Sequence, residues 1–244
     1  MNLISITEAD FTSNSQVQLM GRRFEHIKKI LKAQIGQNLR LGLLDGKLGW
    51  GEVLDLQSDK IRLQVNLNED PPLAAPVSLI VALPRPKSLP RIIQAITSLG
   101  VKRIAFINTW KVEKCFWSSD YLSRESIDQA IILGLEQAVD TIKPHIEFFR
   151  LFKPFVEDHM NEWCGKSFKI VCHPQIEGKK LSNSLEECKS VLALGPEGGF
   201  IDYEIEQFLK HGFQPFSLGP RILRLETAIP ALVSQFYFNT RKDC

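Results

Sequence analysis

The sequence predicts two parts: a small domain of short strands around one helix, then an α/β domain built on a mainly parallel sheet. Three observations predict this. Beyond residue 76, short apolar runs alternate with amphipathic helical stretches, the rhythm of strand–helix–strand units. Before residue 70, strand-like runs are joined by short turns with one helical stretch among them. Between them lies Glu69-Asp70-Pro71-Pro72-Leu73-Ala74-Ala75-Pro76. Its three prolines resist helix and sheet alike, which marks a linker. The expected boundaries are therefore 1–70, a linker at 71–76, and 77–244.

In the first part, Leu3 to Ile6 reads as a strand. Gly21 to Ala33 reads as a helix, with Phe24, Ile27 and Leu31 on one stripe. Asn38 to Leu44, Trp50 to Leu56 and Ile61 to Leu67 follow as strands, with Asp45-Gly46 as a hairpin turn. A small barrel uses these strands economically. In the second part, Val77 to Leu83 is an apolar strand. Ser88 to Leu99 is a helix stopped by Gly100, and Val101 to Ile107 is a strand. Ser123 caps a helix running to Val139. His145 to Phe149, Phe168 to Cys172 and Val191 to Leu194 read as strands. A helix capped by Asp202 ends near Gly212, and Phe213 to Leu218 is a strand. A last helix is capped by Thr227, with Pro230 in its first turn.

Composition excludes several classes. The chain has 244 residues, 44% hydrophobic and 24% charged, which fits a folded globular protein and not a disordered one. No apolar run is long enough to span a bilayer, and no secretory signal is visible at the start. Five cysteines without a Cys-x-x-Cys pair (Cys115, Cys164, Cys172, Cys188, Cys244) read as reduced thiols in a cytoplasm. Cys172-His173, with Cys164 and Cys188 nearby, fits no common zinc spacing, so no metal is expected. Trp50, Trp110, Trp117 and Trp163 are read as packing residues. Net charge is only +2, but Arg22, Arg23, Lys28, Lys29 and Lys32 form one basic cluster, and Arg85, Lys87 and Arg91 a second. Arg22, His26 and Lys29 share one helix face, which suits either phosphate contact or plain solvation.

Two segments carry the candidate chemistry. Leu194-Gly195-Pro196-Glu197-Gly198-Gly199-Phe200 follows an apolar strand and precedes a helix. Ligands in open α/β sheets bind beyond the carboxyl ends of strands, and glycines there let backbone amides approach them. The spacing matches neither a dinucleotide fingerprint nor a phosphate loop, which disfavours a nicotinamide-dependent oxidoreductase. Leu218-Gly219-Pro220-Arg221-Ile222-Leu223-Arg224-Leu225-Glu226-Thr227-Ala228 also follows a strand and opens a helix. Its arginines offer fixed donors to phosphate or a base edge, and Glu226 could hold one in place. Turn chemistry alone leaves each segment open to a simpler reading, as a tight turn or a surface ion pair.

Together the two segments resemble the signature loops of the bacterial 16S ribosomal RNA uracil-N3 methyltransferases, of the SPOUT class. The resemblance extends over nearly the whole chain. Arg22, Arg23, His26, the Asp45-Gly46 turn and Glu136-Gln137 fall where that family has similar residues. Two positions depart from it: Arg85-Pro86-Lys87 replaces a Lys-Gly-Asp or Lys-Gly-Lys turn, and Asp140 stands where an arginine is common.

The resemblance implies a PUA-like barrel at the N-terminus, a trefoil-knotted parallel sheet and a homodimer. It implies S-adenosylmethionine as methyl donor, with Leu194, Gly195, Pro196, Gly198, Gly199, Leu218, Gly219, Ile222, Leu223 and Leu225 lining its site. It implies N3 of a uridine in 16S ribosomal RNA of the small subunit (the position usually called uridine 1498) as acceptor. RNA contacts would come from Arg22, Arg23, His26, Lys29, Arg85 and Lys87. Arg224 is assigned to stabilising the uracil anion, Glu226 to positioning Arg224, and Glu197 to accepting the proton. A related SPOUT enzyme acting on transfer RNA or a ribose hydroxyl, and a non-catalytic RNA-binding protein with this fold, stay open.

Overall fold

The computed structural model describes residues 2–174 and 189–239; Cys188 and Cys244 lie outside them. The chain divides into two compact units. The first comprises Met1–Leu73 with Ile132–Lys143, and the second Ala74–Ile131 with Pro144–Cys244. The return of Ile132–Lys143 to the first unit is a feature that the linear reading of the sequence did not contain.

The first unit holds β1 (Ile4–Ile6), β2 (Phe11–Ser13), β3 (Gln16–Met20), α1 (Gly21–His26), β4 (Asn38–Leu43), β5 (Leu48–Leu56) and β6 (Lys60–Glu69). They form one mixed sheet in the order β1-β4-β5-β6-β3-β2, with β1 parallel to β4 and the other pairs antiparallel. The strands β2 and β3 were not expected, yet Gln16-Val17-Gln18-Leu19 alternates as a strand should, and Val17 and Leu19 are buried. The expected 21–33 helix stops being α-helical at His26. A π-helical turn continues from Ile27 to Leu31 and ends at Lys32 in a left-handed conformation. The wider turn shifts the stripe, so Phe24 and Ile27 are buried but Leu31 is exposed.

In the second unit the order is β7 (Val77–Ala82), α2 (Leu89–Ser98), β8 (Arg103–Ile107), α3 (Arg124–Ala138, its last two turns in the first unit), β9 (His145–Phe149), α4 (Phe152–Pro154), a π-helical turn Phe155–His159, α5 (Met160–Cys164), β10 (Phe168–Cys172), β11 (Ser190–Leu194), α6 (Asp202–Lys210), β12 (Gln214–Phe216) and α7 (Leu225–Asn239). The sheet runs β12-β10-β11-β7-β8-β9, with every pair parallel. β11 is buried at all five positions, as a central parallel strand covered on both faces must be. The helical run from Phe152 to Cys164 had escaped notice because its π turn spaces Phe155 and Met160 five residues apart, which hides the usual helical period.

Two cap assignments change. α6 starts at Asp202, and its end is closed by Glu204, whose Oε2 accepts the Ile201 amide at 3.0 Å. α7 starts two residues before Thr227, with the Arg224 carbonyl accepting from the Ala228 amide at 2.8 Å. Pro230 therefore lies inside α7, beyond its first turn. Ser123 does cap α3, its Oγ accepting from the Ser126 amide at 3.3 Å.

Within the first unit, Glu136 is 1% exposed and binds both guanidinium nitrogens of Arg22 at 3.0 Å. Its backbone carbonyl accepts from the Asn2 and Leu3 amides at 3.2 and 3.1 Å. Asp140 is also buried, and its Oδ1 accepts the Ile142 amide at 3.0 Å, so it shapes the turn after α3. Removing the partner of a buried carboxylate is costly. Arg22→Ala should lower stability by about 2 kcal/mol in urea unfolding. Unchanged stability would mean that the pair does not hold this unit together.

Candidate functional site

The parallel sheet places its turns on one edge. Beyond the carboxyl ends of β10, β11 and β12 lies a cavity of about 100 Å³. Leu194, Gly195, Pro196, Glu197 and Gly199 line it from the first glycine loop. Leu218, Gly219, Ile222, Leu223 and Leu225 line it from the second. Of the residues expected around a donor, only Gly198 is not on the wall. Arg224 and Glu226 are not on the wall either, although Arg221 is. Sequence reasoning had not placed Cys172, His173, Phe216, Ser217, Ala228 and Leu232 there. The signal was available for the first two, which end a strand beside the one that feeds the glycine loop.

The first loop folds back on itself. A Cβ at Gly195 would lie 2.8 Å from the Phe200 backbone nitrogen and 3.1 Å from the Gly199 carbonyl carbon. Gly199 has a φ of +71°, and a Cβ there would lie 3.2 Å from Nε2 of His173. Gly198 is different, because its would-be Cβ meets only the flexible stem of Lys111. Lys111 Nζ donates to the Gly198 carbonyl at 2.6 Å. Phe200 then turns inward and packs on Phe208, with ring centroids 5.1 Å apart. Glu197 stays exposed, and its Oε1 accepts the Arg85 amide at 3.3 Å. The turn after β7 is thus tied to the glycine loop, while the side chains of Arg85 and Lys87 remain exposed.

The titratable groups are arranged unevenly. Burial lowers the pKa of His173, helped by the charge of Lys111 and opposed by a hydrogen bond to the Phe200 backbone and by Asp202. The Ser88 hydroxyl, then its own backbone amide, holds Glu226 below the usual carboxylate range, against a smaller effect of burial. Arg224 and Arg91 add to that lowering through their charges. Glu226 thus stands at the start of α7 under the influence of both Ser88 and Arg224. Arg224 is exposed, and its backbone is set by the first turn of α7. Burial pushes the Cys172 thiol far up and the Cys164 thiol to about 11, so neither is a ready nucleophile. Among the described residues, no group of three His, Cys, Asp or Glu side chains could hold a metal ion.

The expected RNA-facing residues of the first unit are largely committed to the protein. Arg22 is held by Glu136, and Arg23 binds both oxygens of Asp10 at 2.6 and 2.7 Å. Nε2 of His26 is buried without a hydrogen-bond partner. Lys29 pairs with Glu25 one turn back and is otherwise exposed. The tryptophans are not all packing residues either: Trp163 is buried, whereas Trp50 and Trp110 are exposed.

A family model described as an RNA methyltransferase domain matches residues 71–236. The chain belongs to that family. Within the RNA methyltransferase family, it is 28% identical over 233 residues to ribosomal RNA small subunit methyltransferase E of Treponema pallidum, covering 93% of this chain and 87% of that protein. It is 26% identical to ribosomal RNA small subunit methyltransferase E 1 of Borreliella burgdorferi, covering 93% and 94%. Among solved structures, ribosomal RNA small subunit methyltransferase E of Neisseria gonorrhoeae, bound to S-adenosyl methionine, superposes with a TM-score of 0.73 at 20% identity, covering 97% of each chain. A Legionella pneumophila protein solved with bound SAM gives 0.76 at 23% identity, covering 96% of each. These likenesses establish an α/β methyltransferase fold carrying one mixed and one parallel sheet.

Gly195→Ala should destabilise the protein by about 2 kcal/mol, because rigid backbone fills the space its methyl needs. Gly198→Ala should stay within about 0.5 kcal/mol, since the Lys111 stem can move aside. Thermal unfolding of the two variants tests this; equal midpoints would refute the close approach at Gly195.

Proposed function

We propose that this chain transfers a methyl group from S-adenosylmethionine to N3 of a uridine in 16S ribosomal RNA of the small subunit. The observation that carries this is the cavity at the carboxyl edge of the parallel sheet, walled by two glycine loops. Its residues suit the donor. Gly195 and Gly199 let the first loop fold tightly on itself and against His173, which puts its backbone on the cavity wall. Leu194, Leu218, Leu223 and Leu225 offer an apolar wall, and Ser217 and backbone groups offer polar contacts. When bound, the donor supplies a methyl on sulfonium sulfur that needs no further activation. The protein's task is then alignment, and removal of the N3 proton.

Arg224 carries positive charge beside the second loop and stabilises the uracil anion as the proton leaves. Glu226, in the first turn of α7, positions Arg224. Glu197, exposed on the cavity wall, accepts the proton. Lys29, Arg85 and Lys87 meet phosphates, the first unit acts as a PUA-like RNA-binding domain, and the second as a knotted methyltransferase domain. A homodimer follows from the same reading: Ile222 lies on the cavity wall yet is 77% exposed, the kind of apolar surface a second copy covers. The activity belongs in the cytoplasm.

Mass spectrometry of nucleosides from 16S ribosomal RNA, with and without this gene, should show N3-methyluridine only when the gene is present. A ribose-methylated product, or none, would overturn the assignment. Calorimetry in chelator should show stoichiometric binding of S-adenosylhomocysteine. Arg224→Ala should slow single-turnover methylation roughly a hundredfold at saturating RNA and donor. A wild-type rate under those conditions would reduce Arg224 to a binding residue.

A further inference from the structure

Trp110 is 81% exposed on the loop that leaves the carboxyl end of β8. Its backbone is nonetheless firmly placed. The Trp110 amide donates to Oε1 of Glu204 at 2.7 Å, and Glu204 is 2% exposed. The other oxygen of that carboxylate holds Ile201, directly after the glycine loop. The next residue, Lys111, reaches the Gly198 carbonyl. The β8 loop is therefore laced to the glycine loop on both sides of Trp110. β8 lies beside β7, and β7 beside β11, all parallel, so both loops leave the same edge of the sheet. The other tryptophan of this stretch is already engaged: Trp117 Nε1 donates to Asn108 Oδ1 at 2.8 Å, and the Arg150 guanidinium sits 5.6 Å from its ring.

We infer that Trp110 is a stacking platform for an RNA base beside the methyl-transfer site, a role that rests on the methyltransferase function proposed above. N3 lies on the Watson–Crick edge of uracil, so the target must leave its pair and stack before it can react. Unstacked RNA bases are commonly received on aromatic side chains. A large flat face on a pinned backbone receives one with little loss of conformational freedom. The exposed Lys111, Lys114, Arg85 and Lys87 on the loops after β8 and β7 favour a phosphate-bearing partner.

The probe is 16S ribosomal RNA from cells lacking the gene, titrated against wild type, W110A and W110F. Trp110→Ala should weaken RNA affinity about tenfold, and Trp110→Phe by less than about threefold. RNA should quench wild-type tryptophan emission, and W110F should lose most of that quench. S-adenosylhomocysteine affinity and thermal midpoint should not move. W110A with wild-type RNA affinity overturns the inference. So does a W110A that loses RNA affinity together with its dimer in sedimentation, which would make Trp110 a subunit contact. If wild type binds no S-adenosylhomocysteine and methylates no RNA, the proposed function itself fails. Active wild type with an indifferent W110A fails the stacking role alone.

Discussion

The candidate site depends on how tightly the backbone folds between Leu194 and Phe200. β11 delivers a fully buried, inflexible chain to the sheet edge, and Gly195 lets it reverse within van der Waals distance of its own next turn. That reversal sends Phe200 into the aromatic cluster with Phe208 and brings Ile201 to Glu204. Glu204 in turn fixes the Trp110 backbone. A single close approach therefore sets the cavity wall, the start of α6 and the loop beyond β8. Buried carboxylates suit such duty because each oxygen accepts more than one donor, and leaving one unmatched is expensive.

Carboxylates also redirect the reading of the arginines. A guanidinium offers a planar fork that fits phosphate and carboxylate equally well, so an arginine-rich segment does not announce its partner. In the first unit Arg22 and Arg23 meet Glu136 and Asp10. Glu136 lies more than a hundred residues away along the chain, and the Arg22 pair formed because Ile132–Lys143 belongs to that unit. Asp140, which stands where an arginine is common, is buried and closes a turn. In the second loop, Arg224 is exposed, while Glu226 is held below the usual carboxylate range by Ser88 first and by the charges of Arg224 and Arg91 after it.

The strands of the parallel sheet were legible because a strand covered on both faces is mostly apolar, and β7, β8 and β11 are apolar apart from Ser78, Arg103 and Ser190. The two glycine loops were legible because few residues other than glycine permit such turns. Nearly every predicted cavity residue lies on the wall, since loops that leave neighbouring parallel strands share an edge. β3 was missed despite clear alternation at Val17 and Leu19, as its run is short. The helices around Phe155 and beyond His26 were misjudged for one cause: a π turn breaks the spacing on which helical periodicity rests.

The amino-acid order by itself determined the α/β class and the positions of both glycine loops, because these follow from local hydrophobic period and backbone freedom. The tertiary structure alone decided which partner each charged group takes, that Cys172 and His173 join the cavity, that Gly195 matters more than Gly198, and that Trp110 is exposed. Those outcomes depend on which distant segments meet, and a neighbour brought from a hundred residues away leaves no trace in local periodicity.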